Sequence, residues 1–451
     1  MADILNSPLN ETLVQQPLTL PATRRRVLWA GARTWSPKGA LALVDQGLIS
    51  GANFIVGILL ARHLAPDQYG AYAVAFQVFL FLSVAYAAVI LEPLSVFGSS
   101  VYRNSTREYL GVLLRIHGGI AAVIFLGLGA CAWLLRLVSP RGDLTSALIG
   151  VAVASPCMLL FSLARRGFYV KLSPRQAALG ALGYFAVVLG GLVLAFYRGS
   201  LSPLVAFLLI AAGAGVTGPL MLGKLGFSLN PRLAILKTAD VVRRHWGYGR
   251  WALGSAVAIW FSGAIYYPIL GSFHGLAETG ALQALTNFSS PIAQAFAAMS
   301  LLSLPYAAGI HHQNSSRGTY HLAAKLAFIY AGGTVLYWLL VVLFRWQIVE
   351  YIYAGKYVGI ISLIPWLALA SILRIWATSQ AIVLRAMHAP SLVFIAYGAA
   401  SAVDVVAGIP CTWAFGLWGA IFGMVLASAV ALFVTLGILH RHAPSSGRLK
   451  H

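Results

Sequence analysis

The chain has 451 residues, of which 59% are hydrophobic and only 9% are charged. An ordinary soluble domain carries about 25% charged residues, so this composition excludes a cytosolic enzyme, a secreted domain and a disordered chain. The formal net charge of +20 would suggest nucleic-acid binding in a soluble protein. In a membrane protein it indicates basic residues kept in cytoplasmic loops, so we expect a membrane protein with no nucleic-acid partner.

Long apolar runs predict an all-α polytopic membrane protein with about 12 transmembrane helices. A helix needs roughly 20 apolar residues to cross the hydrocarbon core. Residues 1–37 come first and have no apolar core typical of a signal peptide, so they are expected to form a cytoplasmic tail. The predicted spans then follow at 38–61, 70–97, 110–136, 144–164, 176–197, 201–222, 251–271, 281–304, 322–344, 359–384, 391–414 and 417–439.

The longest loop between spans divides the chain into two predicted six-helix lobes. An N-terminal lobe covers 38–222, a cytoplasmic loop covers 223–250, a C-terminal lobe covers 251–439 and a cytoplasmic tail covers 440–451. Shifting the sequence by 210 positions aligns the start of the two lobes and matches Gly70 with Gly280. Two such lobes of equal orientation favour a transporter with a central cavity.

The basic residues predict the orientation of the chain. An even number of spans places both termini on one side of the membrane. Most of the 31 Lys and Arg residues then fall in cytoplasmic segments if both termini are inside, as the positive-inside rule requires. The sequence therefore predicts an N-in, C-in protein.

Ionisable residues inside the first lobe form one candidate site. Asp45, Glu92 and Arg115 each lie roughly 10 Å from the cytoplasmic end of their spans, and His117 follows Arg115. Buried charges in membranes face a partner or an aqueous cavity. This layer is either an ion cluster that locks the lobe or a wall of an inward-open cavity that meets substrate or a coupling ion.

Arg165 and Arg166 close the fourth span at its cytoplasmic end. Positive-inside retention explains this pair, and a docking site for a phosphorylated lipid head is the alternative. We include both residues in the candidate substrate or ion pathway.

A second candidate site lies in the C-terminal lobe. Arg374 and Asp404 lie near the membrane midplane on consecutive spans, at about 16 Å and 20 Å from the cytoplasmic ends. They predict one of two arrangements. In the first, the two residues form an ion pair that neutralises both charges. In the second, Arg374 binds an anion, and its charge is released for this when Asp404 is protonated.

Other motifs give no sign of enzymatic chemistry. The run Gly218–Lys224 has P-loop spacing but continues with Leu225 and ends an apolar span. The sequence contains no zinc-protease motif. We therefore predict no catalytic residue, no metal site, no cofactor and no enzymatic activity.

Two segments resemble a known family. The first span ends in LARHLAPDQYGAYA (Leu60–Ala73) and the second in ILEPLSVFG (Ile90–Gly98). Within Leu43–Arg103 the sequence is similar to the N-terminal region of the polysaccharide transporter family. These are the Wzx-type O-antigen and exopolysaccharide flippases of the multidrug/oligosaccharidyl-lipid/polysaccharide (MOP) exporter superfamily.

The resemblance implies a function in polysaccharide or lipopolysaccharide assembly at the bacterial inner membrane. Such a flippase moves an undecaprenyl-pyrophosphate-linked oligosaccharide from the cytoplasmic to the periplasmic leaflet, so its implied partners are that lipid, membrane lipids and other polysaccharide-assembly proteins. A cation-coupled multidrug or lipid exporter of the same superfamily is the alternative. A membrane glycosyltransferase or O-antigen polymerase is a third possibility, which the short predicted outer loops disfavour.

Overall fold

The structure, a computed structural model, describes residues 23–139, 142–228, 236–296, 299, 316–386 and 390–442. All regular secondary structure in these ranges is helical. Helices satisfy their backbone hydrogen bonds internally, which a lipid environment requires. The predicted all-α membrane fold is confirmed. Residues 1–22 of the predicted N-terminal tail lie outside the described residues, as do 443–451 of the C-terminal tail.

The first half of the chain contains seven α-helices in the described residues: α1 (Thr23–His63), α2 (Pro66–Tyr86), α3 (Glu92–Ser99), α4 (Thr106–Val138), α5 (Asp143–Val170), α6 (Pro174–Tyr197) and α7 (Pro203–Leu225). The described part of the second half contains eight: α8 (Thr238–Ala264), α9 (Tyr266–Phe273), α10 (Leu276–Asn287), α11 (Ser316–Leu343), α12 (Arg345–Tyr353), α13 (Ile364–Ala386), α14 (Pro390–Val403) and α15 (Ile409–His442). Residues 290–296 are also helical.

Nine helices in the described ranges are long and apolar enough to cross a membrane. One of them, Leu392–Arg441, is 50 residues long and turns sharply at Gly416, whose φ is 57°. This helix holds the two last predicted spans. Predicted span 251–271 is divided between α8 and α9, and part of predicted span 281–304 falls outside the described residues.

Prolines lie just after irregular points in several helices. Proline has no N–H and clashes with the carbonyl four residues earlier. A π-helical turn over Ala87–Leu91 precedes Pro93, and a second one over Asp404–Gly408 precedes Pro410. Helices α8 and α9 meet just before Pro268. At the Glu92–Pro93 pair the irregularity takes the form of a π-helical turn just before the proline.

Each half packs mainly on itself. In the first half α5 packs on α4 and α7, and α6 on α1 and α7; in the second half α13 packs on α11 and α15, and α14 on α8 and α15. The halves meet where α1, α2 and the π-turn of the first contact α8, α9 and α10 of the second. Helices from both halves therefore meet along one interface.

Candidate functional site

A cavity of about 660 Å³ lies in the second half. Helix α2 of the first half closes one side of it through Gln77 and Val84. The described lining contains Arg374 and no Asp or Glu. The remaining lining residues are mostly small, apolar or hydroxylated: Ala256, Trp260, Gly263, Ala264, Tyr267, Thr286, Ser289, Ile292, Ala293, Leu367, Ala370, Ser371, Ile375, Tyr397, Ala400, Met424, Ala427, Ser428 and Ala431.

Arg374 brings a positive charge to this cavity. It lies on α13, and its side chain is exposed to the cavity space. Gly263 on α8 leaves room for the guanidinium, since a Cβ at position 263 would lie 3.1 Å from Nη1 of Arg374. Within the described part of the chain no carboxylate lies within 4 Å of this guanidinium. Arg374 therefore presents its charge to the interior of the bundle without a described carboxylate beside it.

Asp404 does not form an ion pair with Arg374 in this structure. It is fully buried at the start of the second π-helical turn, and it is not part of the cavity lining. The hydroxyl of Tyr266 donates a hydrogen bond to Oδ1 of Asp404 at 2.5 Å. The predicted pairing is wrong for this conformation, because the carboxylate points to α9 and not to α13.

Two glycines make the Asp404–Tyr266 contact possible. A Cβ on Gly408 would lie 2.3 Å from the Tyr266 hydroxyl oxygen, and a Cβ on Gly423 would lie 2.4 Å from the same atom. Any larger residue at either position would displace the tyrosine. The tyrosine hydroxyl is therefore held between α15 and the π-helical turn.

In the first half Asp45 pairs with Arg165. The Nε and Nη2 atoms of Arg165 donate to the two carboxylate oxygens at 3.1 Å and 2.5 Å. The Tyr169 hydroxyl adds a hydrogen bond of 2.6 Å, and Asp45 is fully buried. A bidentate pair with a third donor is a strong, well-satisfied arrangement. For Asp45 this geometry favours a structural ion pair within the first half, formed with an arginine from outside the predicted layer.

The other predicted residues of the first half are spread out. Glu92 is exposed and interacts electrostatically with Arg166. His117 accepts or donates a hydrogen bond of 3.1 Å between its Nδ1 and the hydroxyl of Tyr86. The Nε atom of Arg115 is buried without a hydrogen-bond partner among the described residues. None of these four predicted residues lines the cavity, so the structure does not gather the predicted layer into one site.

Hydroxyl groups in the cavity region form pairs that sequence reasoning missed. Ser289 and Ser371 lie 3.2 Å apart, Tyr267 and Thr286 lie 2.8 Å apart, and Thr378 and Tyr397 lie 2.9 Å apart, measured between side-chain oxygens. The only signal in the sequence is a set of hydroxylated residues inside apolar spans. The spacing of Ser371 and Arg374, one helical turn apart, is the clearest hint.

His245 is a second residue that sequence reasoning missed. Pro93 deprives the Val89 carbonyl of its helical donor, and Nδ1 of His245 lies 2.9 Å from that carbonyl oxygen. Nε2 of His245 lies 2.6 Å from the Tyr109 hydroxyl. A neutral imidazole protonated at Nδ1 satisfies both contacts. His245 thus connects the start of α8 to the bend of the second span.

One end of the bundle, which we call the closed end, is joined across the halves by two basic side chains. Arg62, at the end of α1, donates to the carbonyls of Tyr351 and Ile352 at the end of α12. Lys356 donates to the carbonyl of Leu64 at 3.0 Å. The last carbonyls of a helix lack intrahelical donors, so basic side chains stabilise them.

A buried hydrogen-bond network lies beneath these contacts. The Nδ2 atom of Asn287 donates to the hydroxyl of Tyr69 at 2.8 Å. Tyr353 donates to the carbonyl of Ala284 at 2.8 Å. These residues come from α2, α10 and α12, so the network ties the two halves together at the closed end.

Comparisons by sequence alone find nothing. No protein-family model matches the chain, and no curated protein matches it significantly. The fold, in contrast, is found in solved structures.

An inward-facing multidrug resistance transporter of the MATE family aligns with a TM-score of 0.72 and 13% identity, over 90% of this chain and 100% of the other. The lipid II flippase MurJ, in an inward closed conformation, aligns with a TM-score of 0.65 and 12% identity, over 92% and 87% of the two chains. A MOP superfamily transporter from Pyrococcus furiosus Vc1, described as having a binding pocket of reverse polarity, aligns with a TM-score of 0.62 and 13% identity, over 90% and 95%.

At these identities the likeness is one of fold. The structures named above belong to transporters and a flippase, and none of them is an enzyme. The predicted fold is confirmed, while membership of the superfamily and of the Wzx-type family within it stays a prediction. The chain is a multi-pass membrane protein with the fold of MOP superfamily transporters.

Proposed function

We propose that this protein is a flippase for an undecaprenyl-pyrophosphate-linked oligosaccharide, an O-antigen or exopolysaccharide repeat unit. It moves the headgroup from the cytoplasmic to the periplasmic leaflet by alternating access, while the prenyl tail stays in the bilayer. In this proposal it lies in a bacterial inner membrane with both termini inside, and other polysaccharide-assembly proteins supply and consume its substrate.

The observation that carries the proposal is the charge of the cavity. Arg374 faces the cavity without a described acidic partner, and the described lining has no carboxylate. A pyrophosphate is an anion that a guanidinium binds with two parallel hydrogen bonds. A cavity with this charge repels the cations that a cation-binding exporter must hold.

The fold alone leaves a multidrug or lipid exporter as the second candidate, since MATE-family structures share it. For the Pyrococcus furiosus transporter the reverse polarity of the pocket is said to suggest a different function. By the same reasoning the polarity of the cavity separates the candidates here. The cationic lining favours the flippase.

The size of the cavity limits what it holds. Small-molecule sites have volumes of about 300 to 1,000 Å³, and the volume here is about 660 Å³. The cavity in this conformation fits the diphosphate and the sugar next to it. The rest of the oligosaccharide would extend away from Arg374.

The membrane potential supplies part of the driving force in this proposal. Outward movement of one negative charge gains about 2.3 kcal/mol per 100 mV when the inside is negative. A diphosphate headgroup therefore moves outward along the electrical gradient. Arg374 holds the charge during its passage through the low-dielectric interior.

The test is transport by the purified protein in liposomes. A fluorescent undecaprenyl-pyrophosphate oligosaccharide is placed in both leaflets, and a membrane-impermeant quencher reports the accessible fraction over time. Arg374→Ala is expected to slow flipping at least tenfold while the protein still inserts and folds. Arg198→Ala, an exposed arginine outside the cavity, serves as the matched control.

Two results would contradict the proposal. Flipping by Arg374→Ala at the wild-type rate would remove this arginine from the site. Failure of the wild-type protein to flip the lipid, together with uptake of an organic cation by the same liposomes, would favour the exporter.

A further inference from the structure

The wall of the cavity next to Arg374 carries a cluster of hydrogen-bond donors. Ser371 lies three residues before Arg374 on α13, and residues at this spacing share one face of a helix. Ser289, just before the helical segment 290–296, faces Ser371 with 3.2 Å between their oxygens. All three residues line the cavity. Two hydroxyls and one guanidinium therefore border the same space from two different segments of the chain.

We propose that Arg374, Ser371 and Ser289 form the subsite that holds the phosphate next to the lipid or the first sugar. This inference deepens the proposed function and rests on it. The ligand class is a lipid-borne diphosphate. The three residues select a headgroup that carries phosphate over one that carries another anion.

The donor geometry favours phosphate over a carboxylate. A carboxylate is planar, and one guanidinium satisfies it with two parallel hydrogen bonds. A phosphate group has oxygens in several directions, so it uses additional donors from another side. The two serines provide such donors, Ser371 from the same helix as Arg374 and Ser289 from a second segment of the chain.

The serine pair also has hydrogen-bonding capacity to spare. A hydroxyl has one donor and two acceptor positions. When one serine donates to the other, a single O–H serves the pair and the second O–H is left to donate elsewhere. An anion beside the pair accepts that hydrogen, or accepts from both serines if their mutual bond opens.

The fold reserves space for the arginine in this position. A Cβ at Gly263 would lie 3.1 Å and 3.4 Å from the two terminal nitrogens of Arg374. A side chain there would make the guanidinium shift by a few tenths of an ångström. Gly263 thus leaves room for the guanidinium on the side of the cavity that it occupies now.

The experiment measures binding of undecaprenyl diphosphate and of undecaprenol, which lacks phosphate, to the purified protein in nanodiscs. Ser371→Ala and Ser289→Ala are each expected to weaken binding of the diphosphate about tenfold, since hydrogen bonds to charged groups contribute on this scale. Binding of undecaprenol is expected to stay within about twofold of wild type. Ser379→Ala is the matched control, because Ser379 lies on the same helix but is buried and bonds to the Trp376 carbonyl.

Arg374→Gln separates this inference from the proposed function. If Arg374→Gln weakens diphosphate binding but neither serine variant does, the three-residue subsite is wrong while the anionic-lipid function stands. If the wild-type protein binds diphosphate and undecaprenol equally, the proposed function itself fails. Thermal unfolding of each variant, compared with Ser379→Ala, shows that a loss of binding does not come from a loss of folding.

Competition with inorganic pyrophosphate identifies the source of the phosphate. If pyrophosphate displaces the lipid from the wild-type protein, and does so less well in both serine variants, the subsite recognises phosphate by itself. Serine-dependent lipid binding without displacement supports a subsite that requires the lipid-borne diphosphate. Displacement that is unchanged in both serine variants would overturn the subsite.

Discussion

Gly70 of α2 and Gly280 of α10 pack against each other where the two halves of the chain meet. A Cβ on Gly280 would lie 3.0 Å from the Gly70 nitrogen, and a Cβ on Gly70 would lie 3.1 Å from the Gly280 nitrogen. The contact is reciprocal, since Gly70 lies against the Leu276 carbonyl and Gly280 against the Pro66 carbonyl. Both pairs of equivalent positions, 66 with 276 and 70 with 280, are 210 residues apart. The two glycines therefore make equivalent contacts at this point of the interface.

The first prediction concerns this contact. Gly70→Ala is expected to lower the thermal stability of the protein, because the added Cβ would overlap with the backbone of α10, and overpacking costs about 1 to 3 kcal/mol or more. Gly47→Ala on α1 is the control, since a Cβ there meets nothing within 4 Å. Alanine favours the helix by about 1 kcal/mol over glycine, so the control is expected to raise stability slightly. The loss of monodisperse protein on heating, followed by fluorescence, measures the thermal stability of both variants. Equal stability of the two variants would contradict the prediction.

The second prediction concerns the closed end. Removing the Arg62 and Lys356 side chains together is expected to weaken the contact between α1 and α12 and to populate a conformation open at this end. Thr279 is fully buried near this end. A cysteine in its place, in a variant without the native cysteines, is expected to become accessible when this end opens. Labelling by a membrane-impermeant maleimide is expected to rise at least fivefold.

The control is the same labelling experiment with Arg198→Ala instead of the changes at Arg62 and Lys356. This variant also loses a positive charge at the surface. Unchanged labelling of the double variant would show that these two side chains do not hold the end closed. The side of the membrane from which the reagent acts also tests the predicted orientation.

The third prediction concerns Asp45 and Arg165. Arg165→Gln leaves a fully buried carboxylate without its charge partner, and breaking such a pair costs about 3 to 5 kcal/mol. The double variant with Asp45→Asn is expected to recover most of the lost thermal stability and to retain substantial transport. If the double variant is stable yet inactive, the pair belongs to the substrate or ion pathway and the interpretation as a lock is wrong.

The fourth prediction concerns His245 and Pro93. His245→Phe removes the donor to the Val89 carbonyl and is expected to destabilise the protein by about 1 to 3 kcal/mol, the cost of an unsatisfied buried polar group. In a Pro93→Ala background the backbone N–H gained at position 93 can donate to this carbonyl, so the same change is expected to cost less. A thermal-stability double-mutant cycle measures the coupling. Equal costs in both backgrounds would show that His245 stabilises the protein through other contacts.

Several features of the candidate site are within reach of the sequence. Arg374 and Asp404 stand out because an ionisable residue in a long apolar run needs a reason. The sequence does not reveal which carboxylate meets which arginine, because helix rotation and tilt come from packing. Hence the sequence identifies Asp45 but places its partner Arg165 in a cytoplasmic cluster, and it pairs Asp404 with the wrong residue.

The composition alone determined that this chain spans a membrane as a bundle of helices, because lipid leaves the backbone few other ways to satisfy its hydrogen bonds. Pro93 and Pro410 also account for the π-helical turns just before them, since the missing N–H acts locally. Only the tertiary structure decided that Arg374 faces a cavity whose described lining has no carboxylate, that Tyr266 takes Asp404, and that His245 serves the bend at Pro93. Those contacts join residues far apart in the chain, and small residues such as Gly263, Gly408 and Gly423 allow them through close packing that no local pattern encodes.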